Sequence, residues 1–411
     1  MRVRVLGATL LACCAGAAPA AHAAPDSPVR AAVSLGDSYI SGEAGRWNGN
    51  SNTQSGSRDG TDRAWTGSGY DVARVYGASG ACHRSDVAEI HTAALAVDER
   101  INLSCSGATT TNVFRAAAGG SGQNGEAPQA DQLAAVAASR DVELIVLSIG
   151  GNDLGFADII ADCAIAWTTS PSWWPRMCAA EQQAAVNGRM PTAMANVGKA
   201  IDEIRAVMAG AGFAASDYRL VLQSYPSPVP RGADARYPQS GWTRLTVGGC
   251  PFWNSDLDWA RGSLVNQIAD NLRAVAAGRG VQFLDLRDLM DGREVCARAS
   301  SLVTSSTPPS PSGSEWMRFL VSGIGQGDLQ ESFHPNAYGQ QALGRCLGLV
   351  AAQSGPAYAC RNAPGAGPSA VTLTAAAATA TARAARRVRP RAVAPSGVPD
   401  YPSRTEARGR R

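Results

Sequence analysis

The sequence predicts a three-layer α/β/α domain built on a doubly wound, parallel, five-stranded sheet of the flavodoxin-like type. Five short β-rich runs are mostly apolar without strict alternation, which is typical of strands covered by helices on both faces. Helical patterns lie between these runs, and strands that alternate with helices favour parallel pairing. In such a sheet the active residues follow the carboxyl ends of the strands.

The elements follow one another along a single body that has no internal repeat. The predicted strands are residues 31–35, 101–104, 142–149, 218–223 and 281–286. The predicted helices are residues 129–139, 194–208, 257–277 and 336–352. The Gly/Ser/Asn-rich stretch 42–69 and the tryptophan-rich segment 167–175 separate these elements, and we interpret both as surface excursions.

Charge is distributed unevenly along the chain. The whole sequence carries a net charge of +3, but residues 361–411 contain ten arginines and two acidic residues, a net +8. The first 24 residues add +2, which leaves residues 25–360 at −7. A nucleic-acid-binding domain carries positive charge on its fold, so this distribution argues against a nucleic-acid partner. We expect a monomer.

The two ends are predicted to lie outside the folded domain, which we place at residues 25–360. Residues 1–24 are typical of a secretory signal peptide: Arg2 and Arg4 precede a short apolar run, and an Ala-His-Ala cleavage site ends at Ala23. A lipid-modified Cys13 is the alternative, because residues 10–13 loosely resemble a lipobox. Residues 361–411 lack large apolar side chains, which predicts a disordered tail that could contact an anionic membrane or cell wall weakly.

Cysteine usage agrees with export. Eight cysteines remain in the mature body, and an even number in an exported chain indicates disulfides, although eight cysteines can pair in many ways. We predict pairing in sequence order, so that each bridge closes a local loop. The predicted pairs are Cys82 with Cys105, Cys163 with Cys178, Cys250 with Cys296, and Cys346 with Cys360.

Four segments carry residues suited to nucleophilic catalysis. Ser38 follows the first predicted strand after a glycine, where its hydroxyl can stand at the rim of the sheet. Gly107 follows the second strand and could donate a backbone N–H. Asn152 follows two glycines after the third strand, and its side-chain amide can meet developing negative charge. His334 lies just before a predicted helix.

Together these segments resemble the four ordered blocks of the SGNH hydrolases, also called GDSL esterases and lipases. The resemblance spans residues 31 to about 352, and the first block and the segment 81–85 are similar to a secreted actinobacterial branch. The blocks are Gly-Asp-Ser at 36–38, Gly107, Gly-Gly-Asn-Asp at 150–153 and His-Pro-Asn at 334–336. The branch tends to have three local disulfides, which would correspond to the first three predicted pairs.

The resemblance implies a role for each matched residue. Ser38 would be the nucleophile and His334 its general base. The Ser38 amide, the Gly107 amide and the Asn152 side chain would form the oxyanion hole. Asp37 would support the turn rather than act as a catalytic acid.

The group that orients His334 is less constrained by the sequence. The family usually has Asp three residues before the histidine, and this chain has Glu331 there. We favour Glu331 on triad logic, while a backbone carbonyl, used by some relatives, is the alternative. Asp328 fits the spacing less well.

The sequence therefore predicts a secreted, metal-independent serine carboxylic-ester hydrolase. Its expected substrate is a lipid or another small hydrophobic acyl ester. The enzyme is expected to need no cofactor. The alternatives are a carbohydrate esterase that removes acetyl groups from polysaccharide or cell wall, and a non-catalytic wall- or lipid-binding module on the same fold. His83 is interpreted as a surface or packing residue, and Trp167, Trp173 and Trp174 as either an apolar lip or the cover of a small loop core.

Overall fold

The computed structural model describes residues 28–77, 80–321 and 329–376. The predicted signal peptide with Cys13, the candidate Asp328 and the part of the predicted tail from residue 377 onward lie outside these ranges. The four disulfides are paired as predicted in sequence order. Within the described ranges, no helix combines the length and apolar character needed to cross a bilayer.

One sheet of seven strands forms the centre of the domain. The strands are β1 Arg30–Gly36, β2 Glu99–Asn102, β3 Asp141–Ser148, β4 Arg219–Gln223, β5 Gln282–Asp285, β6 Ala357–Arg361 and β7 Thr372–Ala375. Their spatial order is β2-β1-β3-β4-β5-β6-β7, with parallel pairing up to β6 and antiparallel pairing of β7 on β6. The order of the first five strands is the flavodoxin-like order, so the predicted fold class is confirmed.

Two further strands correct the predicted strand number and the predicted start of the tail. Ordered structure continues through β7, although the sequence places a disordered tail from Arg361 onward. Both added strands are short and lie at one edge of the sheet, so neither has the buried apolar run that marks β1, β3, β4 and β5. The Cys346–Cys360 disulfide fixes β6 to the preceding helix, which compensates for the small apolar content of this edge.

Helices cover the sheet. They are α1 Ser38–Ser41, α2 Ala73–Tyr76, α3 Glu89–Thr92, α4 Thr110–Val113, α5 Gln129–Ala137, α6 Phe156–Thr168, α7 Ala179–Gly210, α8 Thr243–Thr246, α9 Asn254–Trp259, α10 Val265–Arg279 and α11 Ala337–Ala351. A π-helical turn, Ala260–Leu264, joins α9 to α10. Helix α3 packs on α11, whereas α5 and α10 pack on α7, and these two groups form the outer layers.

The core explains why the central strands lack alternation. Six of the seven residues of β1 are buried, and so are the last five residues of β3. Strand β1 lies between β2 and β3. The strand that follows β1 in the sequence is on one side of it in the sheet, and the later strands are on the other side. The carboxyl ends of β1 and β3 therefore flank a crevice at the point where the strand order reverses.

Both predicted surface excursions are corrected in part. In the stretch 42–69, Trp47 is fully buried, and Asp62 is a buried acceptor for Arg46 at 2.8 Å and Arg58 at 2.9 Å. The segment 167–175 begins inside α6, a helix that the sequence pattern does not predict. Alanine, isoleucine and aspartate share α6 without clear periodicity, which hides the helix from a pattern search.

Candidate active site

The turn after β1 is fixed by one glycine. Gly36 has a φ of +138°, and a Cβ atom there would lie 1.9 Å from the carbonyl oxygen of Ser148 on β3. Its own N–H and C=O both bond the buried side chain of Gln129, at 2.7 Å and 2.8 Å. The chain is thereby held close to β3, and it enters α1 with Ser38 as the first helical residue.

Asp37 ties this turn to the turn after β3. Its carboxylate caps α1 by accepting the Tyr39 N–H at 3.1 Å, and it also accepts the Tyr225 hydroxyl. The Tyr225 oxygen in turn accepts the Gly151 N–H at 3.0 Å. Burial raises the pKa of Asp37 to about 7. These contacts are those of a support for the turn.

Ser38 and His334 meet at the rim of the sheet. Ser38 Oγ lies 2.7 Å from His334 Nε2, and His334 Nδ1 lies 3.0 Å from the carbonyl oxygen of Ser332. A carbonyl oxygen can only accept, so Nδ1 carries the proton and Nε2 is left to accept the serine hydroxyl. Burial lowers the pKa of His334, which keeps Nε2 of the imidazole unprotonated and able to accept a proton at neutral pH.

Backbone contacts hold the histidine loop in place. Phe333 has a φ of +60°, and its N–H donates to the Arg318 carbonyl at 2.7 Å. The Arg318 N–H donates to the His334 carbonyl at 2.8 Å. The Tyr39 hydroxyl donates to the Phe333 carbonyl at 2.8 Å, so the residue after Ser38 contacts the residue before His334.

The prediction that Glu331 orients His334 is wrong. One Glu331 oxygen accepts the indole N–H of Trp47 at 2.6 Å, and the other accepts the hydroxyl of Tyr76 at 2.8 Å. The carboxylate is therefore directed at the buried side chains of Trp47 and Tyr76, and the Ser332 carbonyl bonds the imidazole instead. Burial raises the pKa of Glu331, against the opposing effect of nearby Arg46 and Arg318.

The predicted oxyanion-hole residues are brought to the same edge of the sheet. The Cys105 N–H donates to the Gly36 carbonyl at 3.0 Å, which places the segment containing Gly107 beside the nucleophile turn. Gly107 has a φ of +76°, a conformation that favours glycine. The Asn152 side-chain amide donates one hydrogen to the Ala108 carbonyl at 2.8 Å, and this leaves its second N–H for a ligand.

A buried glutamate near this edge is not predicted from the sequence. Glu43 Oε1 lies 2.5 Å from His83 Nδ1, and the Ser106 hydroxyl donates to Glu43 Oε2. His83 stacks on Tyr76 with ring centroids 4.9 Å apart, in agreement with the packing role expected for it. The negative charge of Glu43 acts to raise the pKa of His334. The signal for Glu43 is an acidic residue five positions after Ser38 in the first block.

An apolar cavity adjoins the serine. Ser38, Asn152 and Tyr225 line one part of it, and the remainder is almost entirely hydrophobic. The hydrophobic part comes from α6, from α9, from the π-helical turn and from the start of α10. Its lining includes Leu154, Phe156, Ile159, Phe252, Leu264 and Val265. No cluster of three or more His, Cys, Asp or Glu side chains in the described part of the chain could hold a metal ion.

Comparison with known proteins agrees with this geometry. The model of the GDSL-like lipase/acylhydrolase family matches residues 34–342. Lipase 1 of Streptomyces coelicolor is 27% identical over 279 residues, which cover 66% of this chain and 78% of that protein. A lipase of Streptomyces rimosus is 27% identical over 333 residues, which cover 79% of this chain and 87% of that protein.

Two solved structures from the same genus are also similar. The extracellular lipase of Streptomyces rimosus has 22% sequence identity and a TM-score of 0.44, and the match covers 79% of this chain and 100% of that one. Phospholipase A1 of Streptomyces albidoflavus has 23% identity and a TM-score of 0.41, with 76% of this chain and 95% of that one covered.

Proposed function

The chain belongs to the GDSL-like lipase/acylhydrolase family and is a carboxylic ester hydrolase, and from this premise we propose that it is exported and cleaves esters of hydrophobic acyl groups through an acyl-enzyme on Ser38. The observation that carries the proposal is the apolar cavity beside Ser38. An acyl chain placed there removes apolar surface from water, which favours binding by roughly 0.8 kcal/mol per methylene.

The proposed reaction has two halves. Ser38 Oγ attacks the ester carbonyl as Nε2 of His334 takes its proton, and the carbonyl oxygen becomes an oxyanion facing Asn152 and the amides of Ser38 and Gly107. The C–O bond to the alcohol then breaks, and the Nε2 proton passes to the leaving oxygen. Water repeats the sequence on the acyl-enzyme, which releases the carboxylic acid and restores the serine.

The Ser332 carbonyl performs the orienting role in this proposal. Its oxygen lies 3.0 Å from His334 Nδ1 and favours the tautomer with the hydrogen on that nitrogen. It also accepts a hydrogen bond from the imidazolium that forms in each half-reaction. A neutral carbonyl stabilises the imidazolium less than a carboxylate does, so the buried negative charge of Glu43 is a useful addition to the field at His334.

Export is supported by two independent features. The first 24 residues are typical of a signal peptide, and the folded body has four disulfides, which form and persist in oxidising compartments. Mass spectrometry of the secreted protein tests this directly: cleavage after Ala23 is expected, whereas a lipid-modified Cys13 would give a membrane-anchored product.

A chain-length series tests the substrate class. We expect turnover of p-nitrophenyl esters to rise from acetate to longer acyl groups, with little release of acetate from acetylated xylan. A sharp preference for acetyl groups, on the soluble esters and on xylan alike, would favour a carbohydrate esterase. Labelling with an organophosphonate separates both from a non-catalytic binding module: Ser38 should be modified in the native protein, and Ser38→Ala should remain unlabelled.

A further inference from the structure

Exposed hydrophobic side chains are concentrated in one region of the domain. Of the nine large hydrophobic residues that are exposed among the described residues, five belong to this region, so the exposure is not scattered. They are Ile165, Trp173, Trp174, Met177 and Trp242, and we call them the tryptophan patch. Trp173, Trp174 and Trp242 are 80%, 72% and 61% exposed. A concentration of this kind on a soluble domain usually marks an interaction site.

A disulfide and two hydrogen bonds fix the segment that carries Trp173 and Trp174 to the domain. The Cys163–Cys178 disulfide closes the segment that contains Trp173 and Trp174. Immediately after it, the backbone N–H groups of Cys178 and Ala179 donate to the Asp256 carboxylate of α9, at 3.3 Å and 3.1 Å. These bonds fix the segment to the body of the enzyme, so the tryptophans are held exposed by the backbone rather than by fraying.

A buried tryptophan within the Cys163–Cys178 segment contacts the loop that carries Trp242. The ring of Trp167, near the end of α6, packs edge-to-face against Trp242 with centroids 5.8 Å apart, and it also contacts Trp253 at 6.0 Å. The Trp167 indole N–H donates to the Gln239 carbonyl at 3.1 Å, which holds the Trp242 loop against α6. Trp167 is therefore the buried ring on which the exposed Trp242 packs.

Helices α6 and α9, to which the patch is attached, also line the proposed substrate cavity. Ile159, Ile160 and Cys163 of α6 line the cavity, and so does Asp256, the residue that anchors the segment to α9. Helix α6 thus lines the cavity near its middle and carries the exposed Ile165 near its end. A lipid layer on the patch would consequently lie against the same two helices that enclose the acyl chain.

Charge indicates which surface fits. Residues 163–178 contain a single charged residue, the exposed Arg176, although residues 25–360 as a whole carry a net charge of −7. Indole rings prefer the headgroup layer of a bilayer, and an arginine beside them can pair with lipid phosphate. The folded body is acidic and the patch itself carries one positive charge, so a zwitterionic phospholipid surface is the best match for the patch, whereas attraction of the +8 tail to an anionic membrane would not depend on the tryptophans.

We propose that the tryptophan patch docks the enzyme on the surface of a zwitterionic phospholipid aggregate, with the indole rings in the headgroup layer and Arg176 against the phosphates. Docking would bring the cavity wall to the lipid and raise the local concentration of acyl chains at Ser38. This inference deepens the proposed function and rests on it for the fate of the lipid, but the docking step itself needs no turnover.

The decisive experiment measures binding without catalysis. The mature protein with Ser38→Ala is mixed with phosphatidylcholine vesicles, and the bound fraction is measured by co-sedimentation with and without Trp173→Ala and Trp174→Ala together. We expect the double replacement to weaken partitioning by at least about tenfold, because two large aromatic side chains leave the interface. Val72→Ser, which removes an exposed apolar side chain outside the patch, should leave binding unchanged.

Two further measurements keep the outcome unambiguous. Trp242→Ala tests the patch from its second loop, and a circular-dichroism melt verifies that each variant is folded. With Ser38 intact, the Trp173/Trp174 variant should hydrolyse a monomeric soluble ester within about twofold of the native rate, while hydrolysis of vesicle phosphatidylcholine falls with binding.

The docking proposal and the proposed function fail in different ways. The docking surface would be overturned if the protein with an unmodified patch does not bind vesicles. It would also be overturned if vesicle binding survives replacement of all three tryptophans. Replacements that abolish binding to insoluble xylan but spare vesicle binding would overturn it as well. Absence of ester turnover and of phosphonate labelling at Ser38 would instead overturn the proposed function, even if tryptophan-dependent vesicle binding remained.

Discussion

The carbonyl oxygen of Ser332 accepts the Nδ1 hydrogen of His334 at 3.0 Å, in the place where a triad would have a carboxylate. The adjacent carboxylate of Glu331 is occupied by Trp47 and Tyr76. In the proposed mechanism the serine–histidine pair is thus completed by the main chain, and the buried glutamate supports the histidine loop.

Replacing Glu331 by Gln should cost stability more than catalysis. The amide oxygen would accept the Trp47 indole N–H less strongly than the carboxylate does, and its N–H₂ would meet the Tyr76 hydroxyl, whose hydrogen would have to turn to the Glu43 carbonyl, so we expect the free energy of unfolding to fall by about 1–3 kcal/mol. Turnover of a soluble ester should fall less than about tenfold, whereas His334→Ala should lower it by several orders of magnitude. Urea titration and steady-state kinetics measure the two effects.

A matched control is Glu315→Gln, which also neutralises a buried carboxylate that accepts bonds from Asn50 and Arg236. It should destabilise the domain in a similar way without selective loss of activity. If the Glu331 variant stays folded and loses as much activity as His334→Ala, Glu331 would have a role in orienting His334 after all.

Replacing Asn152 by Ala should lower kcat by about 10²–10³ with little change in KM, because the amide meets negative charge only as the oxyanion forms. Asn152→Asp should be at least as damaging, since a carboxylate would repel the oxyanion. Asn271→Ala serves as the control: this amide on α10 also bonds a main-chain carbonyl, Gln267 at 2.8 Å, but lies outside the site. A rise in KM alone would assign Asn152 to substrate binding.

The pH dependence of kcat/KM should report the environment of His334. Because burial lowers the pKa of the imidazole, activity on a neutral soluble ester should rise through a midpoint below the ordinary value of 6.5 and stay level into the alkaline range. The Glu43 charge acts to raise this pKa, so Glu43→Gln should move the midpoint to lower pH. An upward shift in that variant would contradict the assigned electrostatics.

Filling the apolar cavity should shorten the acyl chains that the enzyme accepts. Ala260 of the π-helical turn lines the cavity, and Ala260→Phe should lower kcat/KM for decanoate and longer p-nitrophenyl esters by at least about tenfold. Hydrolysis of the acetate should stay within about twofold. Ala274→Phe, on an exposed position of α10, is the matched control. Equal losses on short and long esters would show that the cavity does not hold the chain.

Stability should depend on pH through Glu89. Burial raises the pKa of this carboxyl to about 7 from an ordinary value of 4.5, so the folded state holds a proton that the unfolded state releases between these values. The contribution of Glu89 to the free energy of unfolding should therefore be most favourable below about pH 4.5. It should fall as the pH rises to about 7.

The variant Glu89→Gln should remove that slope. Its amide keeps an oxygen that can accept the Gln223 N–H, while its N–H₂ meets no partner among the described residues at either pH, so its stability relative to the native protein should be more favourable at pH 8 than at pH 5 by on the order of 2–3 kcal/mol. Urea denaturation at both pH values measures it, with the exposed Glu181→Gln as control. A gain of the same size at both pH values would contradict the raised pKa.

Much of the architecture can be predicted from local sequence. Strands β1, β3, β4 and β5 lie inside the sheet and are mostly buried, so their apolar runs are visible without any knowledge of contacts. The order and spacing of the blocks around Ser38, Gly107, Asn152 and His334 identify the family, because the first three follow predicted strands and the last precedes a predicted helix. The disulfides close short loops, and pairing in sequence order is sufficient to predict them.

Tertiary structure alone decided how the site is completed. Trp47 and Glu331 bond across 284 positions, and no local pattern predicts that this contact draws the carboxylate away from His334. The acyl cavity likewise needs α6, α9 and the π-helical turn to come together, and the tryptophan patch needs Trp167 to be buried while its neighbours are exposed. Sequence periodicity specifies which face of an element is buried, whereas the partner on that face is set by packing between distant segments.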